Sequence, residues 1–153
     1  MPSHNRGRFS YDYPRPALTV DLAVTTREAH PRVLLIRRKK EPFAGSWAMP
    51  GGFVDENERL ADAAKRELAE ETGVRVADLE QLYTAGDPGR DPRGWTVTVA
   101  YLAQVDPNAL KPVAADDADE VGWFPLDDLP PLAFDHAMIL ARARARLKAN
   151  GPA

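Results

Sequence analysis

Near the start of the chain Leu18, Val20, Leu22 and Val24 alternate with Thr19, Asp21, Ala23 and Thr25, the period of two that turns one face of a strand inward. A turn at His30 and Pro31 leads to Val33-Leu34-Leu35-Ile36, a short apolar run that predicts a buried strand emerging into Arg37, Arg38, Lys39 and Lys40. A passage rich in proline and glycine follows. From Glu58 to Thr72 neither residue occurs, and Leu60, Ala64 and Leu68 recur every four positions before Gly73, which predicts a helix of about four turns closed by a left-handed cap. Leu79 to Ala85 and Trp95 to Val105 read as strands, joined by a loop over 86–94 whose three glycines and two prolines forbid regular structure. An acidic loop, Asp116-Asp117-Ala118-Asp119-Glu120, precedes a short apolar stretch at Trp123-Phe124. The last element runs from about Asp135 to Lys148, with Met138, Ala141, Ala145 and Leu147 near helical spacing and Arg142, Arg144, Arg146 and Lys148 suited to a helix C-terminus. Strands outnumber helices without a regular β-α-β alternation, so the expected class is α+β, with a mixed sheet between helices.

The 58–72 helix carries carboxylates where a simple amphipathic helix would not. At roughly 100° per residue, Leu60, Ala63, Ala64 and Leu68 share one arc; Glu67 and Glu71 fall inside it and Glu70 borders it. Arg59, Asp62 and Lys65 lie opposite. Like charges this close repel, more strongly where water is partly excluded. Arg66 can reach Glu70 and Glu58, but one guanidinium cannot offset three or four carboxylates. A hard divalent cation held by oxygen ligands can, and Mg²⁺ or Mn²⁺ suits a few carboxylates shared with substrate phosphates. An acidic helix edge solvated at a cleft rim is the plainer alternative for such a cluster taken alone.

The cluster has company. Five residues separate Gly52 from Glu58 and seven more precede Arg66-Glu67, after which come Leu68, Glu70-Glu71, Gly73 and Val74. This pattern resembles the Nudix hydrolase signature at every position, and seven fixed residues would coincide by chance on the order of 10⁻⁸ per start. The likeness extends through Gly45-Ser46-Trp47-Ala48-Met49-Pro50-Gly51 and Trp123-Phe124-Pro125-Leu126, over roughly residues 17 to 140. It implies an α/β/α sandwich around a mixed sheet, with a loop–helix–loop that holds divalent metal against a diphosphate. Carried over by position, Gly51, through its carbonyl, and Glu67, Glu70 and Glu71 would bind the metal. Glu58 and Arg66 would brace the helix, Arg66 counting with the catalytic set. The general base would be Glu67, Glu70 or a loop acid, Asp117 foremost.

For the substrate, Gly86-Asp87-Pro88 and Arg90-Asp91-Pro92-Arg93-Gly94-Trp95 look like the arginine-bearing loop of the ADP-ribose pyrophosphatase branch. Arg90 and Arg93 could grip phosphate or ribose oxygens, although the same residues make a good turn. Arg37 is a further phosphate candidate. Trp47, Phe43 and Trp95 could stack on adenine or simply belong to the core. His4, His30 and His136 lack metal-ligand spacing, and His136 is expected to pack or hydrogen-bond locally.

Length and composition agree with this reading. The 153 residues suit one domain, here 17–150 behind a polar arm over 1–16, and 44% hydrophobic with 28% charged residues is an ordinary globular composition. No cysteine is present, which excludes disulfides and thiolate chemistry and suits the cytoplasm. A net charge of −3 offers no general pull toward nucleic acid or lipid, and no apolar run is long enough for a membrane span. The resemblance implies Mg²⁺-dependent (or Mn²⁺-dependent) hydrolysis of ADP-ribose or a similar nucleoside diphosphate derivative to AMP and ribose 5-phosphate as the expected reaction. The alternatives are a nucleoside triphosphate or oxidised-nucleotide pyrophosphatase, and a non-catalytic ADP-ribose sensor. Against the sensor, the chain ends too soon for an appended winged-helix domain. A small-molecule nucleotide is the expected partner, without nucleic acid or membrane, and a homodimer is possible for a chain of this kind.

Overall fold

The computed structural model describes residues 9–108, 111–115 and 117–151. In chain order it contains β1 (Ala17–Thr26), β2 (Arg32–Arg38), β3 (Trp47–Ala48), β4 (Gly51–Phe53), α1 (Leu60–Thr72), β5 (Glu80–Ala85), β6 (Thr96–Val105), β7 (Ala118–Pro125) and α2 (His136–Ala149). The strands form one mixed sheet ordered β3-β2-β1-β6-β5, with β4 also on β1 and β7 also on β2. β1 and β6 run parallel over ten residue pairs, from Ala17 with Thr96 to Thr26 with Val105, and the other pairings are antiparallel. This is the α+β sandwich that the pattern of elements predicts.

Each face of the sheet buries its own helix. Val20, Leu22, Val24 and Leu34 pack with Ala63, Ala64 and Leu68 of α1. Ala23, Val33, Leu35 and Leu102 pack with Ile139, Leu140 and Ala143 of α2. β1 is therefore buried on both faces, Thr19 to Thr26 throughout, and the simple inward–outward alternation expected for it does not hold. Its central position, with β6 beside it and a helix on either side, gives its polar residues an interior too.

Several boundaries move. α1 begins at Leu60 because Glu58 belongs to the preceding loop, where its carboxylate accepts the Asp55 N–H at 3.0 Å and Arg59 is extended. β6 begins after Trp95, which is half exposed. β7 takes in Asp119 and Glu120, so the acidic loop is shorter than its composition suggests. α2 turns His136, Ile139, Leu140 and Ala143 inward instead of Met138, Ala141 and Ala145, a register hidden by a polar residue that is itself buried. Of the expected N-terminal arm, residues 1–8 lie outside the described residues, and in the rest Phe9 stacks on Tyr11 while Tyr13 is exposed.

Gly73 closes α1 at φ 73°, its N–H donating to the Ala69 carbonyl at 2.9 Å. A β-branched residue strains this left-handed turn, which already costs other residues about 1–2 kcal/mol. Gly73→Val should therefore lower unfolding free energy by at least about 1 kcal/mol in urea denaturation, and an unchanged midpoint would contradict the cap.

Candidate active site

α1 presents Glu67 and Glu71 from its buried face, and Glu70 stands half exposed at the edge. Arg66 answers them. Its Nε donates to Glu58 at 2.7 Å, Nη1 to Glu67 at 2.9 Å and to Glu70 at 3.2 Å, and Nη2 to Glu58 and the Phe53 carbonyl. These bonds hold the Glu58 carboxyl below its ordinary range and raise the guanidinium still further. They do not suffice for the helix. Burial pushes Glu67 up to about 7 against the pull of Arg66, and burial likewise pushes Glu71 well up against its bond from the Gly51 amide. The carboxyls remain short of positive charge here.

The glycines explain how loop and helix come so close. The Gly51 N–H donates to Glu71 Oε1 at 2.8 Å. A Cβ on Gly52 would lie 2.5 to 2.6 Å from the Glu67 carboxylate, and one on Gly51 would meet the Val20 carbonyl and Asp21. No other residue permits that approach.

In front of this loop opens a cavity of about 150 Å³. Glu71, Gly51, Asp117, Arg90 and Arg93 line it, so five candidates converge from α1, β4 and two separate loops. Asp117 is paired with Lys40 at 3.2 Å; Asp116 lies outside the described residues. Glu67 sits behind Gly52, and both it and Glu70 hold Arg66. Among the described residues no three acidic or histidine side chains are arranged around a common metal position. The donor set nonetheless fits a hard divalent cation in kind: three carboxylates on neighbouring turns, two of them buried and short of positive charge.

Arg90 is nearly buried, with Nε and Nη2 donating to Asp135 at 2.9 and 2.6 Å. Arg93 is held by Asp91 in the same two-pronged way, and its guanidinium lies 5.0 Å from the Phe53 ring and 5.3 Å from the Phe134 ring. Arg37 and Trp47 do not line the cavity. Arg37 bonds Asp119 and Glu120 across β7, and Trp47 packs edge-on against Phe124 at 4.7 Å. The neighbouring Arg38 lines it instead, because successive strand residues point to opposite faces. Its Nε donates to the Pro42 carbonyl at 2.8 Å, and its guanidinium lies 5.1 Å from the Phe134 ring. Burial, followed by the charge of Arg93, lowers its pKa.

Asp21, Arg38, Phe134 and His136 also line this cavity and were not picked out by sequence reasoning. An aspartate in the middle of an apolar strand was the available signal for Asp21. The apolar run before Arg38 carries no parity, and so could not choose between it and Arg37.

The NUDIX domain model matches residues 15–143. The chain belongs to the Nudix family. An ADP-ribose pyrophosphatase of Methanocaldococcus jannaschii is 42% identical to this Nudix chain over 130 residues, 84% of this chain and 73% of that protein. The ADPR responsive transcriptional repressor NtrR of Acinetobacter baylyi is 40% identical over 141 residues, 89% of this chain and 56% of that one. Among solved structures, the NUDIX domain of Shewanella oneidensis NrtR complexed with ADP ribose superposes with a TM-score of 0.81 at 41% identity, covering 90% of this chain and 94% of that one. The Nudix signature thus coincides with the carboxylate helix and the glycine loop.

A pH test follows from the burial of Glu67. Folded, this carboxyl keeps its proton up to about 7; unfolded, only to 4.5. The folded state therefore binds more protons across that window, and the group's contribution to stability falls as pH rises through it. Glutamine carries no such dependence. In EDTA, the stability of Glu67→Gln relative to the parent should rise between about pH 5 and pH 8, by a total on the order of 3 kcal/mol at most. Denaturant titrations with a flat difference would refute the raised carboxyl.

Proposed function

We propose that this Nudix hydrolase cleaves the diphosphate of ADP-ribose, or of a similar nucleoside diphosphate derivative, to AMP and ribose 5-phosphate, using Mg²⁺ or Mn²⁺. The observation that carries the reading is the complete carboxylate set of α1, short of positive charge, backed onto a cavity whose other wall holds Arg38, Arg90 and Arg93. A diphosphate carrying a divalent cation is the ligand that meets both demands.

Glu67, Glu70, Glu71 and the Gly51 carbonyl would hold the cation. When bound, it neutralises phosphate oxygens and lowers the barrier to attack at phosphorus. Arg66 keeps Glu67 and Glu70 in reach of the loop. Arg90 and Arg93 each spend one edge of the guanidinium on an aspartate and keep another for phosphate or ribose oxygens, so little side-chain freedom remains to be lost. Arg38 and Arg93 repel each other, and an anion between them would relieve that repulsion. Of Glu67, Glu70 and Asp117, the candidate bases, Asp117 is the one lining the cavity, and it takes the proton of the attacking water in this scheme.

The sensor reading has its own support in the similarity to the NtrR repressor and the NrtR domain, and a repressor among the relatives gives DNA a place among partners to test. The complete signature favours turnover. No described helix is long and apolar enough to cross a membrane. The exposed aromatics Phe9, Tyr11 and Tyr13 are the surface on which a homodimer would be sought.

Product analysis with ADP-ribose, dinucleotides and triphosphates should give AMP and ribose 5-phosphate from ADP-ribose; pyrophosphate from triphosphates alone would overturn the substrate, and ADP-ribose binding without turnover would establish the sensor. Glu70→Gln and Glu71→Gln should keep the fold, judged by circular dichroism, and lower kcat by at least about 100-fold, since each removes charge that holds metal. Arg38→Ala should raise KM for ADP-ribose more than Arg37→Ala; the reverse order would return the phosphate role to Arg37.

A further inference from the structure

Three consecutive residues at the start of α2 each hold a different part of the cleft. Phe134 carries the guanidinium of Arg38 at 5.1 Å and that of Arg93 at 5.3 Å. Asp135 clamps Arg90. His136, buried, accepts the Met49 N–H at Nδ1 over 3.0 Å. The first two contacts concern the arginine wall. The third reaches the opposite wall, two residues before Gly51.

The imidazole does not sit there alone. Its Nε2 faces Asp21 Oδ1 at 3.5 Å, and Asp21 Oδ2 accepts the Thr98 hydroxyl at 2.5 Å. A histidine and an aspartate buried on the core face of a sheet cost folding free energy that an apolar pair would not. Burial lowers the pKa of His136 although Asp21 and Asp135 oppose it, so the ring is neutral near pH 7. With Nδ1 an acceptor, its proton lies on Nε2 toward Asp21. Asp21 thus lies between the Thr98 hydroxyl, which donates to it, and the His136 Nε2–H turned toward it, while the other ring nitrogen accepts one backbone amide.

That amide opens a short segment anchored at every step. The Met49 N–H donates to His136, the Pro50 carbonyl accepts the Leu22 N–H at 2.9 Å, and the Gly51 N–H donates to Glu71 at 2.8 Å. Leu22 and Glu71 belong to the core strand and the carboxylate helix. The anchor from the far side of the sheet is His136.

We infer that His136 is a positioning residue: by holding the Met49 amide it fixes the Gly51 peptide, and with it the affinity of the site for a divalent cation. The inference rests on the reading of Gly51 and the α1 carboxylates as the cation site. Residues that orient a metal's ligands without touching the metal typically contribute 10–100-fold in affinity.

Mn²⁺ binding to the full chain without nucleotide, followed by electron paramagnetic resonance, tests it. His136→Phe preserves bulk and removes the acceptor, and should raise the Mn²⁺ dissociation constant about 10–100-fold. His136→Asn can present a carbonyl oxygen near the Nδ1 position, whereas the acceptor of His136→Gln lies farther out; asparagine should bind Mn²⁺ more tightly than glutamine even where both lose thermal stability. That order separates orientation from mere loss of packing and carries the test should the phenylalanine variant not fold. A phenylalanine variant with the parent's Mn²⁺ affinity, or equal or reversed affinities for asparagine and glutamine, overturns the inference and leaves the hydrolase reading standing. A parent protein that binds no Mn²⁺ overturns both.

Discussion

Arg66 is set against more carboxylate than one guanidinium can balance. It bonds Glu58, Glu67 and Glu70 and lies 3.4 Å from Asp55, yet Glu67 and Glu71 keep raised pKa values. The local fold depends on this imbalance being tolerated: the Gly52 turn presses onto Glu67, the Gly51 amide is spent on Glu71, and Phe53 is tied to α1 through the same arginine. Replacing these carboxylates with apolar side chains would suit the core better and leave nothing to bind. The charge is retained at the expense of folding, as is common where a ligand completes a site.

The opposite wall is built on the reverse principle. Arg90 and Arg93 have carboxylate partners that consume part of their hydrogen-bonding capacity and immobilise them, and Arg38 is held by a carbonyl and an aromatic ring. A polyphosphate entering between a carboxylate helix and an arginine wall could not be accommodated by either alone. Under the proposed reading metal would satisfy one side and phosphate the other, which would couple the two ligands thermodynamically.

Much of this was legible in the chain. The α1 stripe revealed its misplaced glutamates because helical periodicity is long enough to define a face, and the glycines around it follow from the same signature. Arg90 and Arg93 were singled out by the likeness of their loop to that of the ADP-ribose pyrophosphatase branch, since the prolines and glycines by themselves indicate only a turn. The failures concern parity and distance. Val33 to Ile36 are apolar on both faces, so the run cannot tell which of Arg37 and Arg38 points to the cleft. Asp21, Thr98 and His136 come from β1, β6 and α2, and no local pattern links residues brought together only by the sheet. His136 also disguised the register of its own helix, since a buried polar residue breaks the stripe that would have identified the inward face.

The parallel pairing of β1 with β6 carries a cost in time. Thr19 meets Val97, 78 residues further along the chain, so β1 emerges from the ribosome long before the neighbour that flanks it through all ten residues exists. Loop closure over such a span is slow compared with local helix formation. During that interval the strand bearing Asp21 offers an open edge to any other nascent segment, and rapid completion of the remaining chain is what protects it.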